Sequence, residues 1–285
     1  MTTKSTLQKR LPRFSRQLRS LGDSAEQLGG QAEFIATTMA SIGFALTRYK
    51  SETIRLVAAM SLGTGALVMI GGTTAIVGFL TLSTGALVAV QGYNQFADVG
   101  VEALIGFASA FFNVRLIAPL TAAVAMAATI GAGATAQIGA MRINEEIDAL
   151  EVMGIRSVAY LASSRVAAAV VVVVPLYCVA VMASFLAARF GTTFFYGQST
   201  GVYDHYFYTF LSTSDLLWSF ALALVMAVVI MTVHTYYGYN ASGGPSGVGE
   251  AVGRAVRTSM ICAAAVVLFT SLAIYGQTGN FNLAG

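Results

Sequence analysis

Five stretches of this chain carry no aspartate, glutamate, lysine or arginine: Leu56–Ala97, Leu116–Met141, Val166–Ala188, Leu216–Gly249 and Thr258–Gly285. Each is at least as long as the roughly 20 residues an α-helix needs to cross about 30 Å of hydrocarbon. In that solvent every backbone N–H and C=O must bond internally, so runs of this length predict helices. Composition points the same way, since 56% hydrophobic, 10% charged and a mean hydropathy of +0.72 over 285 residues lie outside the range of soluble domains. The fold class expected is all-α integral membrane.

The first stretch is long enough for two helices, and the distribution of cations decides between the counts. Nine of the sixteen basic residues (Lys4, Lys9, Arg10, Arg13, Arg16, Arg19, Arg48, Lys50 and Arg55) precede it. With five spans and a cytoplasmic amino terminus, Arg142, Arg156, Arg165, Arg254 and Arg257 join them, leaving Arg115 and Arg189 outside: fourteen against two. Six spans would give eleven against five. The bias of cations toward the cytoplasmic side therefore favours five, at about 62–92, 114–140, 157–188, 215–238 and 256–277, with the carboxyl terminus outside.

Before the spans, Leu7, Leu11, Phe14, Leu18 and Leu21 recur at helical spacing among Lys and Arg. The segment 1–55 is expected to begin as a basic amphipathic helix on an anionic leaflet, a membrane signature rather than a nucleic-acid one. A signal peptide is disfavoured, because Gly22-Asp23-Ser24-Ala25-Glu26-Gln27 stands where its apolar core should be. A second, weaker interfacial segment is expected from Gln31 to Lys50, and a short outer helix from Gln91 to Arg115. The aromatic residues of Gln91 to Arg115 and of Phe190 to Asp215 read as interfacial belts, with a substrate mouth as the competing reading. Gly131-Thr135-Gly139 has the small-residue spacing that lets membrane helices approach closely.

Between the second and third spans lies a polar island, Arg142 to Gly154, holding four of the thirteen carboxylates within seven positions. A helix over 143–154 is expected, with Asn144 as its cap, Glu145, Glu146 and Asp148 near the positive end of its dipole, and Gly154 closing it in a left-handed conformation. Ile143, Ile147 and Leu150 share one face, which fits docking on another protein. A solvated linker helix or an acid–base cluster are the competing readings, the latter without a histidine or nucleophile nearby in sequence.

Other chemistry is sparse. The only lysines are Lys4, Lys9 and Lys50, none following glycine, so no Walker A loop can form; the chain is expected to bind no cofactor or metal and to have no catalytic residue. Cys178 and Cys262 fall in apolar runs and read as core residues, His205 as a loop residue, and His234 as an interfacial histidine. Charge-free windows argue against ion-coupled transport.

Met141-Arg142 leading into Glu145-Glu146-Ile147-Asp148-Ala149-Leu150-Glu151-Val152-Met153-Gly154 resembles the MlaE/YrbE permeases, membrane subunits of ABC transporters that work with Mce-domain proteins. Gln91-Gly92-Tyr93 and Gly247-Val248-Gly249-Glu250-Ala251-Val252-Gly253-Arg254 extend the likeness, and the basic start and the ending Asn280-Phe281-Asn282-Leu283 are most similar to the B-type YrbE permease. The resemblance implies that 56–285 is one permease domain and that the chain sits in the plasma (inner) membrane. It implies coupling to an ATPase dimer, the holder of ATP and Mg, through Arg142, Glu145, Glu146, Asp148, Leu150, Glu151 and Gly154, and a lipid pathway past Gln91 and Tyr93 fed by an external Mce-protein tunnel. Where MlaE-like chains read R-E-L-G-P, this one has Arg115-Leu116-Ile117-Ala118-Pro119, and a later arginine and glutamate align with Thr129 and Gln137. Three neutralised positions suggest pairing with a second, non-identical permease. A membrane enzyme using the acidic cluster, an ion-coupled transporter and a passive scaffold are the alternatives.

Overall fold

The computed structural model describes residues 29–62 and 72–275. The amphipathic helix expected around Leu7 to Leu21 and the chain's ending lie outside them. Helix α1 covers 29–40, α2 Ile42–Arg48 and α3 Lys50–Leu62. Then come α4 (Gly72–Ala97), the long α5 (Glu102–Ile143), the short α6 (Glu146–Val152), α7 (Ala159–Phe195), α8 (Thr200–Phe210), α9 (Thr213–Tyr239) and α10 (Gly244–Tyr275). Among the described residues five helices, α4, α5, α7, α9 and α10, are long and apolar enough to cross a membrane. The protein is a multi-pass, all-helical membrane protein.

Helix α7 is the axis. Its most apolar window is 61% buried, against 28% for α4 and 22% for α10, so those two lie at the periphery. Leu176, Met226, Ile230 and Met126 meet at the centre of the core. Between α4 and α7 the backbones touch: a Cβ on Gly85 would fall 2.5 Å from the Ser184 carbonyl oxygen. In hydrocarbon, where association rests on dispersion and polar contact, such close approach supplies the binding surface.

Helix α5 differs from expectation. No separate outer helix forms over 91–115; α4 runs on to Ala97, a turn follows, and α5 starts at Glu102 and continues to Ile143. The apolar content of Ile105 to Phe112 explains the extension, since that segment is covered by Tyr203 and Phe207 of α8. Two π-helical turns widen α5, at Asn113–Ile117 and Ala127–Gly131. The first precedes Pro119, whose missing N–H disrupts the ordinary ladder. The second brings Gly131 against His234, which corrects the interfacial reading of that histidine. His234 is 0% exposed, with Thr135 Oγ1 2.8 Å from Nδ1 and Ser259 Oγ 3.1 Å from Nε2. One ring therefore joins α5, α9 and α10. It sits a turn and a half inside the end of α9, and a flanking run of tyrosines does not reveal that depth.

A methyl group on Gly131 would lie 2.6 Å from His234 Cδ2, whereas Gly133 on the same helix has open space. Gly131→Ala is expected to destabilise the detergent-solubilised protein by about 1–3 kcal/mol, the range for overpacking, and Gly133→Ala to leave the thermal midpoint unchanged or raised. Equal midpoints for the two variants would contradict the three-helix junction.

Candidate functional site

The polar island forms a small, well-anchored helix at one end of the bundle. Asn144 does not cap it; that residue ends α5 at φ −91°, and Glu145 makes the turn with φ 60°, the one non-glycine residue with positive φ among those described. The ordered helix is accordingly the stretch Glu146–Val152, shorter than 143–154. Ile147 is fully buried against Ile138 and Leu161, with Leu150 beside them, and this packing fixes where the chain must reverse. At the other end Gly154 is left-handed at φ 75°, Ile155 N–H bonds to Leu150 O (3.0 Å) and Gly154 N–H to Glu151 O (2.9 Å). That pairing is a Schellman stop.

The four carboxylates divide into two pairs. Asp148 is bound by Arg142 Nη1 at 2.7 Å, and Arg142 also lies 5.9 Å from the Tyr239 ring centroid. Glu151 accepts from Ser157 Oγ at 2.6 Å and from Tyr239 OH at 3.1 Å. Those bonds, Ser157's foremost, hold its carboxyl below the usual carboxylate range. Glu145 and Glu146 are exposed. Beside them Val152 is 89% and Met153 65% exposed, two large apolar side chains at a charged tip. Sequence reasoning missed this pair because it counted apolar residues toward the inner face alone; the terminal position after Glu151 was the available signal.

The N-terminal helices brace this end. Phe34 of α1 meets Tyr236 and Tyr239, each at 5.5 Å, Tyr49 meets Tyr160 at 5.1 Å, and Arg156 lies 4.7 Å over Phe44. Ser163 on α7 donates to the Thr38 carbonyl at 2.8 Å.

Gln91 and Tyr93 lie at the opposite end and diverge. Gln91 lines an apolar groove of about 690 Å³ with Val88, Phe96, Phe107 and Phe111, while Tyr93 stacks on Tyr196 at 4.2 Å. Two ion pairs close this end, Arg115 with Asp215 and Arg189 with Asp204, both at 2.8 Å. Arg189 holds the Asp204 carboxyl below its ordinary value. Tyr203 donates to Ser109 Oγ at 2.8 Å, and burial pushes its phenol up to about 12. No three His, Cys, Asp or Glu side chains converge as a metal site would require, among the described residues.

Residues 62–273 match the family model described as permease MlaE. A probable ABC transporter permease protein of Rickettsia bellii is 28% identical over 176 residues, 60% of this chain and 66% of its own length. Similar proteins occur in Porphyra purpurea (25% over 186 residues, 65% and 71% of the two chains) and in Synechocystis (26% over 191 residues, 67% and 73%), both named probable ABC transporter permease proteins. The chain thus spans about two thirds to three quarters of the length of these relatives.

The Ser157–Glu151–Tyr239 contacts tie α6 to the residues leading into α7 and to the end of α9. Glu151→Ala should loosen that tie by about 1 kcal/mol, seen as faster amide hydrogen exchange over residues 146–158. Glu151→Gln keeps the accepting oxygen and should exchange as the parent does. Because the carboxyl is depressed, the bonds persist at neutral pH and are lost only as pH falls below the ordinary carboxylate range. Identical exchange in parent and alanine variant would remove the tie.

Proposed function

This chain belongs to the MlaE permease family, and from that membership we propose that it is the permease subunit of an Mce-associated ABC transporter, moving hydrophobic lipids across or into the plasma membrane. A separate ATPase supplies the energy. The observation that carries the reading is the tip of α6, where Glu145, Glu146, Val152 and Met153 stand exposed on a helix whose other face is anchored by Ile147. A rim of charge around an apolar pair is the composition of a protein docking surface. The carboxylates would meet cations on the ATPase, and Val152 and Met153 would enter an apolar recess between them.

The arrangement divides labour within the polar island. Arg142, Asp148, Leu150, Glu151 and Gly154 act as the internal frame that holds α6, and Glu145 with Glu146 as the charged contact. We take the α6 end to face the cytoplasm because, among the described residues, Arg142, Arg156, Arg254 and Arg257 lie toward it and Arg115 and Arg189 toward the groove end. The groove beside Gln91 then opens outward, toward Mce-domain proteins that deliver lipid. A second, non-identical permease completes the assembly, this subunit presenting the neutral residues Leu116, Thr129 and Gln137 where its relatives' pattern has charged ones.

Glu145→Lys combined with Glu146→Lys should lower lipid-stimulated ATP hydrolysis of the reconstituted complex by at least about tenfold, the loss of roughly 1.4 kcal/mol of contact energy, while the spans remain folded. Unchanged hydrolysis would reject α6 as the coupling element. A single cysteine at position 146 should react with a membrane-impermeant maleimide in inverted vesicles and not in intact cells; labelling from the outside would reverse the topology.

A further inference from the structure

Among the described residues Arg165 is the one Lys, Arg, Asp or Glu side chain that is buried, at 4% exposure. It lies inside α7, within the third span expected at about 157–188. Its Nη1 bonds to the Leu161 carbonyl of its own helix at 3.0 Å, its Nη2 reaches Gln137 Oε1 at 3.4 Å, and Nε has no partner. No ion pair among the described residues includes it. Glu52 on α3 feels its field, yet that carboxylate is held by Arg55 at 2.6 and 2.8 Å. A buried cation without a counter-charge is costly in a protein and more so within a membrane span, where such residues mark sites of ligand or ion contact.

Gln137 connects this cation to open space. It lines a cavity of about 510 Å³ between α3 and α5, with Leu56, Met60 and Ile130 giving apolar walls and Thr73 and Thr129 hydroxyls. That size falls in the range of roughly 300–1,000 Å³ typical of ligand sites. With its carbonyl oxygen turned to the guanidinium, the Gln137 amide keeps its N–H donors for a ligand in the cavity it lines. One end of the cavity is therefore a hydrogen-bond donor backed by a positive charge, and the rest is oily.

We propose that Gln137, backed by Arg165, receives the carboxylate or phosphate head of an anionic amphiphile whose tail occupies the cavity between α3 and α5. The anion supplies the counter-charge the fold omits. The site lies apart from the groove at Gln91 and does not depend on the transport reading: binding without any ATPase response would reject transport and leave the site standing.

The test uses the full-length protein in phosphatidylcholine nanodiscs, titrated with oleate or with oleyl alcohol and read by native mass spectrometry. Oleate should be retained at least about tenfold more tightly, the factor a charge-assisted hydrogen bond contributes. Gln137→Glu, an exposed position where the change is tolerated, places a carboxylate beside the guanidinium and should erase the preference while oleyl alcohol binds as before. Inorganic phosphate that displaces oleate would make the natural ligand a free anion at the same site; phosphate without effect would make it a lipid headgroup. Equal retention of the two probes by the parent protein, or a preference that survives Gln137→Glu, would overturn the proposal and assign the counter-charge to a neighbouring chain.

Discussion

Helices surrounded by hydrocarbon gain little from burying apolar side chains against one another, so this bundle depends on close backbone approach and on polar contacts sealed between helices. Gly85 against Ser184 is the first kind, and the His234 ring between Thr135 and Ser259 the second. Both are placed by α7 and α5, the two most enclosed spans. Around them α4 and α10 keep faces such as Phe79, Ile261 and Phe269 exposed, as suits helices that meet lipid or another subunit.

The two ends of the bundle differ in what they expose. At the groove end Arg115 and Arg189 are each matched to an aspartate, and Tyr203 and Phe207 pack with Ile105. At the α6 end part of the charge is left open, and the apolar side chains next to it are the most exposed of the region. A surface of that kind is incomplete until another molecule covers it. The proposed covering molecule is the ATPase partner that an ABC transporter permease implies.

Much of the architecture is legible from charge-free length alone, because hydrocarbon permits few alternatives to a helix. Gly154 is likewise legible, since a left-handed residue after a short helix favours glycine. The turn before that helix is not. Asn144 has the better capping chemistry, but Ile147 must reach Ile138 and Leu161, and that contact moves the reversal one residue on, to Glu145. His234 was misplaced for a related reason: hydropathy reports how oily a segment is, whereas depth within the bundle is set by how far a helix extends and by which small residues face it. The same limit joined Gln91 with Tyr93, two positions apart on α4, where helical geometry points them at different neighbours.

The uninterrupted course of α5 has a mechanical consequence. Its 42 residues extend about 63 Å at ~1.5 Å per residue, roughly twice the thickness of the hydrocarbon layer. No loop intervenes between the wall of the groove at Phe107 and Phe111 and the reversal at Glu145. The left-handed joint leaves α6 little freedom to swivel independently. A push on the tip of α6 therefore enters the far end of a lever whose other arm lines the groove, and the two π turns along its length are the places where that lever can bend.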